Sequence, residues 1–162
     1  RTHARRDADA ADVVTAVNEL LIESVGLPAF VTAVYGVLDP GTGTFSYANC
    51  GHNPPLLVRR DGRVDELAAG GPFLGVFGHV RYEAGTVTVE QGDRLVLFTD
   101  GVVEARNAAE EDFGVERLRF ALQEHRHLGA EALNGQLLRA TRDFAGSAGL
   151  QDDFTLLVVR RD

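Results

Sequence analysis

The sequence predicts an α+β layered domain. Three observations carry that expectation. Short strand-like runs punctuated by glycine and proline fill roughly the first two-thirds of the chain, two helical patterns follow, and an apolar run closes it. At 162 residues the chain is long enough for one domain with a substantial core and short for two, so residues 1–162 are read as one domain.

Residues 7–24 read as a helix, because Val13, Val14, Val17, Leu20 and Leu21 recur at helical spacing, with acidic residues early. Gly26 and Pro28 are the expected stop. A run rich in Val, Phe and Tyr follows from Phe30 to Leu38. Asp39-Pro40-Gly41 supplies a turn, and Thr44 to Asn49 a second run, which together predict a hairpin. Asn49-Cys50-Gly51-His52-Asn53-Pro54-Pro55 reads as a loop, since two prolines and a glycine leave little room for a ladder. Leu56–Arg59, the turn Asp61-Gly62, and Arg63–Leu67 form a second hairpin.

Gly70-Gly71-Pro72 is read as a break, and residues 80–90 as a half-buried strand alternating through Tyr82, Val87 and Val89. Gly92-Asp93 turns into Arg94-Leu95-Val96-Leu97-Phe98, an apolar strand ending at Thr99-Asp100-Gly101. Val115–His125 is the next helix, with Leu118, Phe120, Ala121 and Leu122 on its apolar face. Ala130–Phe144 is another, with Leu133, Leu137, Leu138 and Phe144. Gly146–Gly149 reads as a flexible linker, and Phe154–Val159 as a final buried strand.

Composition narrows the function. A formal charge of −8 argues against a nucleic-acid partner, because phosphate backbones select basic surfaces. The Arg1, Arg5 and Arg6 cluster lies beside Asp7, Asp9 and Asp12 and reads as a solvated helix face. No apolar run approaches the about 18 residues of a membrane span, so no membrane partner is expected in this segment. Cys50 is the only cysteine, which excludes an intramolecular disulfide and a cysteine-based zinc site and suits a reducing, cytoplasmic setting. The sequence contains no methionine, so it is expected to be a processed product, an excised domain or a fragment.

Two acidic clusters stand at strand ends. Asp100 follows an apolar strand and precedes Gly101, which permits a sharp turn, and Glu104 lies four residues further on. Asp152 and Asp153 precede the final strand. Such a pair of clusters suits hard, oxygen-liganded cations such as Mg²⁺ or Mn²⁺. It equally suits plain chain reversal, the role given to Asp39, Asp61 and Asp93. His52, with Asn49 and Asn53 nearby, is a ligand, an acid or a loop-locking strut, the last being the commoner role. Cys50 reads as a small buried thiol, since no basic partner is local. His79, His125 and His127 have no zinc-like spacing and read as surface residues.

Several segments then occur in a telling order: Asn49-Cys50-Gly51-His52-Asn53-Pro54-Pro55, Phe73-Leu74-Gly75-Val76, Gly92-Asp93-Arg94 through Thr99-Asp100-Gly101-Val102-Val103-Glu104, Phe113-Gly114, and Asp152-Asp153-Phe154-Thr155 through Val158. The series resembles the C-terminal two-thirds of the PPM-type metal-dependent protein phosphatases, in their stage II sporulation E and sigma-factor-regulator branch. The resemblance implies a β-sandwich flanked by helices, with two Mn²⁺ or Mg²⁺ ions held by aspartates at its edge. It implies hydrolysis of phosphoserine or phosphothreonine on a regulatory protein of the anti-anti-sigma-factor kind, by a water activated between the metals. Asp100 matches the metal-ligand aspartate of the family's Asp-Gly motif and Asp152 that of its closing motif, with Gly101 and Asp153 adjoining them as further metal candidates. Glu104 matches an acidic position without an assigned role. His52 falls in the family's Gly-His-Xaa-Pro loop, as a structural or substrate-proximal residue, and Cys50 stands where a smaller residue is usual.

One departure matters. The Gly-Asp-Xaa-Ser-Gly-like motif, whose aspartate bridges both metals in the family, does not occur in this sequence, nor do the early strands that carry it. The expectation is therefore a partial catalytic domain with a weak single-metal site, little activity unless another chain covers the gap, and an uncovered sheet edge that favours a homodimer. The alternatives are a phosphatase-like interaction module that binds without catalysis, and a structural β-rich domain in which Asp100 and Asp152 only turn the chain.

Overall fold

The computed structural model describes residues 9–24 and 30–162. The arginine cluster at Arg1, Arg5 and Arg6 and the expected helix stop at Gly26 and Pro28 lie outside them. The elements run α1 (Ala10–Ser24), β1 (Ala33–Leu38), β2 (Thr44–Cys50), β3 (Leu56–Val58), β4 (Val64–Glu66), β5 (Gly70–Gly71), β6 (Gly85–Thr88), β7 (Arg94–Phe98), α2 (Asp100–Val103), α3 (Gly114–Glu124), α4 (Ala130–Ala145) and β8 (Leu156–Arg160). Two compact units result. The first takes the described residues up to Pro54 with Leu67–Thr88, and the second Pro55–Glu66 with Val89–Asp162.

In the first unit, β1 and β2 form the expected hairpin, with Ala33 opposite Cys50 and Leu38 opposite Phe45. Its turn is held by the Asp39 carboxylate, which accepts the Gly41 N–H at 2.8 Å. The other edge of β2 is shared: β6 pairs antiparallel with Thr44–Tyr47, and β5 pairs parallel with Asn49 and Cys50. Two expectations are corrected here. Cys50 extends β2 one residue past the expected Thr44–Asn49 run into the stretch read as a loop, and Gly70-Gly71 forms a strand where a break was expected. The glycines make that pairing feasible, since a Cβ on Gly70 would fall 1.7 Å from the Asn49 carbonyl oxygen. With β5 on that stretch of edge, the strand expected over 80–90 keeps only Gly85–Thr88.

Helix α1 starts at Asp9, whose carboxylate accepts the Ala11 N–H at 3.2 Å. Ala10, Val14, Val17 and Leu21 form its inward stripe and pack with Ala48, Cys50, Leu74 and Tyr82. Leu20 falls off that stripe and is exposed. Buried Asn18 fixes the helix to the loop between β5 and β6: its Oδ1 accepts the Gly75 N–H at 2.8 Å, and its Nδ2 donates to the Phe77 carbonyl at 2.9 Å.

The second unit contains a sheet in the order β4-β3-β7-β8, all pairs antiparallel. Leu118 and Leu122 of α3 and Leu133 and Leu137 of α4 pack with Leu56, Val58, Val96 and Phe98. Full burial of each such leucine contributes about 1.5–3 kcal/mol, which makes this core the main anchor of the sheet. Phe120, expected on the apolar face of α3, is 67% exposed, because it lies about 200° around the helix from Leu118. The closing strand, expected to be buried, is an edge strand. Leu156 and Val158 pack on the core while Leu157 is 52% exposed, so β8 alternates as a half-buried strand does. The linker expected at Gly146–Gly149 holds a 3₁₀ turn at Gly146–Ala148. Asp93, read as a turn residue, is buried and more fully engaged. Its carboxylate accepts the Arg59 guanidinium at 3.0 Å and the backbone N–H groups of Arg60 and Glu90 at 2.9 and 3.0 Å.

Candidate metal centre

The antiparallel pairing of β7 and β8 decides where the acidic residues fall. Phe98 lies opposite Leu156, so the residues after β7 and those before β8 leave the sheet at the same end. Thr99 joins them. Its N–H donates to the Thr155 carbonyl at 3.1 Å, its hydroxyl donates to the Asp153 carbonyl at 2.9 Å, and the same hydroxyl accepts the Thr155 N–H at 3.0 Å. This clasp draws the Asp152–Asp153 turn over Gly101. A Cβ on Gly101 would lie 2.5 Å from the Asp153 carbonyl oxygen, so the Asp-Gly pair is a packing requirement as well as a turn.

Asp100 opens α2, with its carboxylate accepting the N–H of Gly101 at 3.0 Å and its carbonyl accepting the N–H of Glu104 at 2.8 Å. Asp152 is fixed in the same way, accepting the N–H of Asp153 at 2.7 Å. Asp100, Glu104, Asp152 and Asp153 are all exposed, so each carboxylate keeps free lone pairs toward solvent. Gly101, Glu104, Ala105, Arg106, Gln151 and Asp152 line a cavity of about 220 Å³. Arg106 is the one cation there. Asp112 holds its Nε at 2.9 Å, and Glu110 stands 3.9 Å from it, so its charge is already shared.

Four carboxylates against one engaged arginine make an edge that attracts cations. The donors are oxygens on short turns, which suits Mg²⁺ or Mn²⁺ bound through one or two carboxylates with water completing the shell. Among the described residues no group of three or more His, Cys, Asp or Glu stands ready to hold an ion. Asp100 and Asp152, with Glu104, are the oxygen donors that this edge offers. The sequence did not single out Thr99, although a hydroxyl residue before Asp100 and another at Thr155 were the available signal.

His52 and Asn49 belong to the first unit. Buried Asn49 brackets His52: its Oδ1 accepts the His52 N–H at 2.8 Å, and its Nδ2 donates to the His52 carbonyl at 2.9 Å. The ring Nδ1 lies 3.1 Å from the Thr32 hydroxyl. Burial pushes the Cys50 thiol up to about 11, so it stays protonated and unreactive at neutral pH.

The stage II sporulation protein E (SpoIIE) family model matches residues 1–162. Protein IcfG of Synechocystis is 30% identical over 133 residues, 82% of this chain and 21% of IcfG. Phosphoserine phosphatase RsbU of Bacillus subtilis is 31% identical over 157 residues, 93% of this chain and 45% of RsbU. The chain thus spans less than half the length of either relative. Among solved structures, the SiaA-PP2C domain of Pseudomonas aeruginosa is similar in fold, with a TM-score of 0.82 at 20% identity over 95% of this chain and 61% of that one. The two antiparallel-rich sheets with their helices are accordingly the α+β fold of PP2C phosphatase domains. With a match that runs the whole length of the sequence, the chain belongs to the stage II sporulation protein E family.

Proposed function

We propose that residues 1–162 form part of a catalytic domain that removes phosphate from phosphoserine or phosphothreonine of a regulatory protein in a sigma-factor pathway. The observation that carries this reading is the clasp at Thr99, which holds the Asp100 and Asp152 turns at one edge of the sheet. The similarity to RsbU, named a phosphoserine phosphatase, supports the substrate class.

The chain's own residues define what the site needs. A phosphate dianion approaching Asp100, Glu104, Asp152 and Asp153 meets like charge, and two unit charges about 4 Å apart cost about 4 kcal/mol near a protein surface. Bound Mn²⁺ or Mg²⁺ would offset that repulsion, polarise the phosphoryl group and lower the pKa of a water molecule. Asp100 and Asp152 would hold the ion, and the bonds to the Gly101 and Asp153 N–H groups keep both carboxylates oriented without neutralising them. Thr99 maintains the spacing of the two turns. No side-chain nucleophile is required, in keeping with the buried, protonated Cys50. A reducing cytoplasmic setting belongs to the same proposal.

The test is phosphate release from a phosphoserine-bearing protein with Mn²⁺ present, comparing the chain with Asp152→Asn. Release that depends on Mn²⁺ and on Asp152 supports the reading. Equal release from the variant sinks it. A second reading, a module that binds a phosphorylated partner without hydrolysis, is favoured by the few ready ligands among the described residues. It predicts partner binding with no phosphate release at any Mn²⁺ concentration.

A further inference from the structure

The opposite end of the β7–β8 ladder carries a second charged cavity of about 540 Å³. Arg60, Arg94, Arg126, Arg160 and His127 line it, with Asp162 the only acid. Every basic residue of this chain other than histidine is arginine, so residue type carries no information here; placement does. In a chain of net charge −8, four of the sixteen cationic side chains converge on one cavity.

Two features show that this convergence costs the fold something. Arg94 and Arg160 are paired directly across the ladder, where like charges are destabilising. Arg94 is also buried, 3% exposed, and burial together with the Arg160 charge holds its guanidinium below its usual range. Asp93 and Asp162 offset the charge only in part. Arg94 donates to the Leu128 carbonyl at 2.6 and 3.2 Å and to the Gly92 carbonyl at 2.8 Å, which leaves two of its five N–H groups over. Arg126 spends one N–H on the Gln123 carbonyl at 2.7 Å, and Arg160 meets Asp162 at 3.1 Å. Arg60 and His127 have no side-chain partner among the described residues.

We propose that this cavity is a binding site for a compact phosphorylated anion, separate from the acidic edge at Asp100 and Asp152. Its volume is that of a small-molecule site. Apart from Gly92 every lining residue is charged or polar, and no aliphatic or aromatic hydrocarbon side chain lines it, so recognition rests on phosphoryl oxygens and not on a large apolar body. The guanidinium forks of Arg94, Arg126 and Arg160 supply the paired donors that such oxygens take. The bound anion offsets the repulsion between Arg94 and Arg160.

The experiment is calorimetric titration of the chain with pyrophosphate in the presence of a chelator, which keeps divalent cations from recruiting the probe to the acidic edge. The proposal predicts saturable binding of one pyrophosphate per chain, weakened at least about tenfold in Arg126→Gln/Arg160→Gln and unchanged in Asp152→Asn. Both arginines are exposed, so the double variant is expected to keep the wild-type melting temperature; if it does not, Arg60→Gln serves as the second variant, with the same direction expected. Absence of saturable pyrophosphate binding overturns the proposal. So does binding that survives the arginine variants, or binding that disappears with Asp152→Asn.

Discussion

At one end of the β7–β8 ladder Arg94 faces Arg160, and at the other Phe98 and Leu156 lead into the turns that carry Asp100 and Asp152. A ladder of five residue pairs spans two opposite ways of holding charge. The basic end places a guanidinium inside the fold and engages three of its five N–H groups with backbone carbonyls. The acidic end leaves its carboxylates in solvent and fixes only their backbone and one oxygen each. The difference follows from what each group tolerates. A guanidinium stays charged when buried and has many donors to spend, whereas a buried carboxylate without a cation would lose its charge. A carboxylate meant for an exchangeable ion is therefore best kept on an exposed turn.

Substitutions along the ladder test this contrast. Gly101→Ala is expected to have the largest effect. Its Cβ would collide with the backbone of Asp153, and the loss should be about 3 kcal/mol in chemical denaturation, at the upper end for overpacking. Arg94→Ala comes next. It strands the Leu128 carbonyl and should cost about 2 kcal/mol, reduced by relief of the repulsion from Arg160. Thr99→Val removes both hydroxyl bonds of the clasp and should cost about 1 kcal/mol while loosening the Asp152 turn. Leu157→Lys, on the exposed side of the same ladder, should change stability by less than about 0.5 kcal/mol. If Leu157→Lys proves as costly as Thr99→Val, the ladder is uniformly sensitive and the contrast between its ends fails.

Away from the ladder, Cys50 gives a pH test. Its pKa rises from 9.0 to about 11 in the folded state, so the folded chain holds more protons than the unfolded one between those values. Stability contributed by the buried thiol is present below pH 9 and is lost as pH rises toward about 11. Cys50→Ala should flatten that part of the stability profile.

Much of the architecture was legible in the residues, and the exceptions have physical reasons. The hairpins were marked by Asp39-Pro40-Gly41 and Asp61-Gly62, and the helices by leucine spacing. Leu20 flanks its stripe and was drawn into it, whereas Phe120 was misplaced against the helical period itself, which sets it about 200° from Leu118. The β5 strand was hidden because Gly70-Gly71 normally signals a break, and only the approach of the Asn49 carbonyl makes it a pairing site. Asp100 and Asp152 stood out as acids at strand ends. Thr99 did not, because its role depends on which strand lies beside β7. The arginine cavity was invisible for the same reason: Arg60, Arg94, Arg126 and Arg160 are scattered over a hundred residues.

The central claim is that the Asp100 and Asp152 turns together hold a divalent cation. Calorimetric titration with Mn²⁺ tests it most directly, using the wild-type chain, Asp100→Asn, Asp152→Asn and, as a turn-aspartate control, Asp39→Asn. The account predicts saturable Mn²⁺ binding that either site substitution weakens by roughly tenfold or more and that Asp39→Asn leaves unchanged. No binding by the wild-type chain, or equal binding by Asp152→Asn, would contradict it and return both aspartates to the role of turn residues.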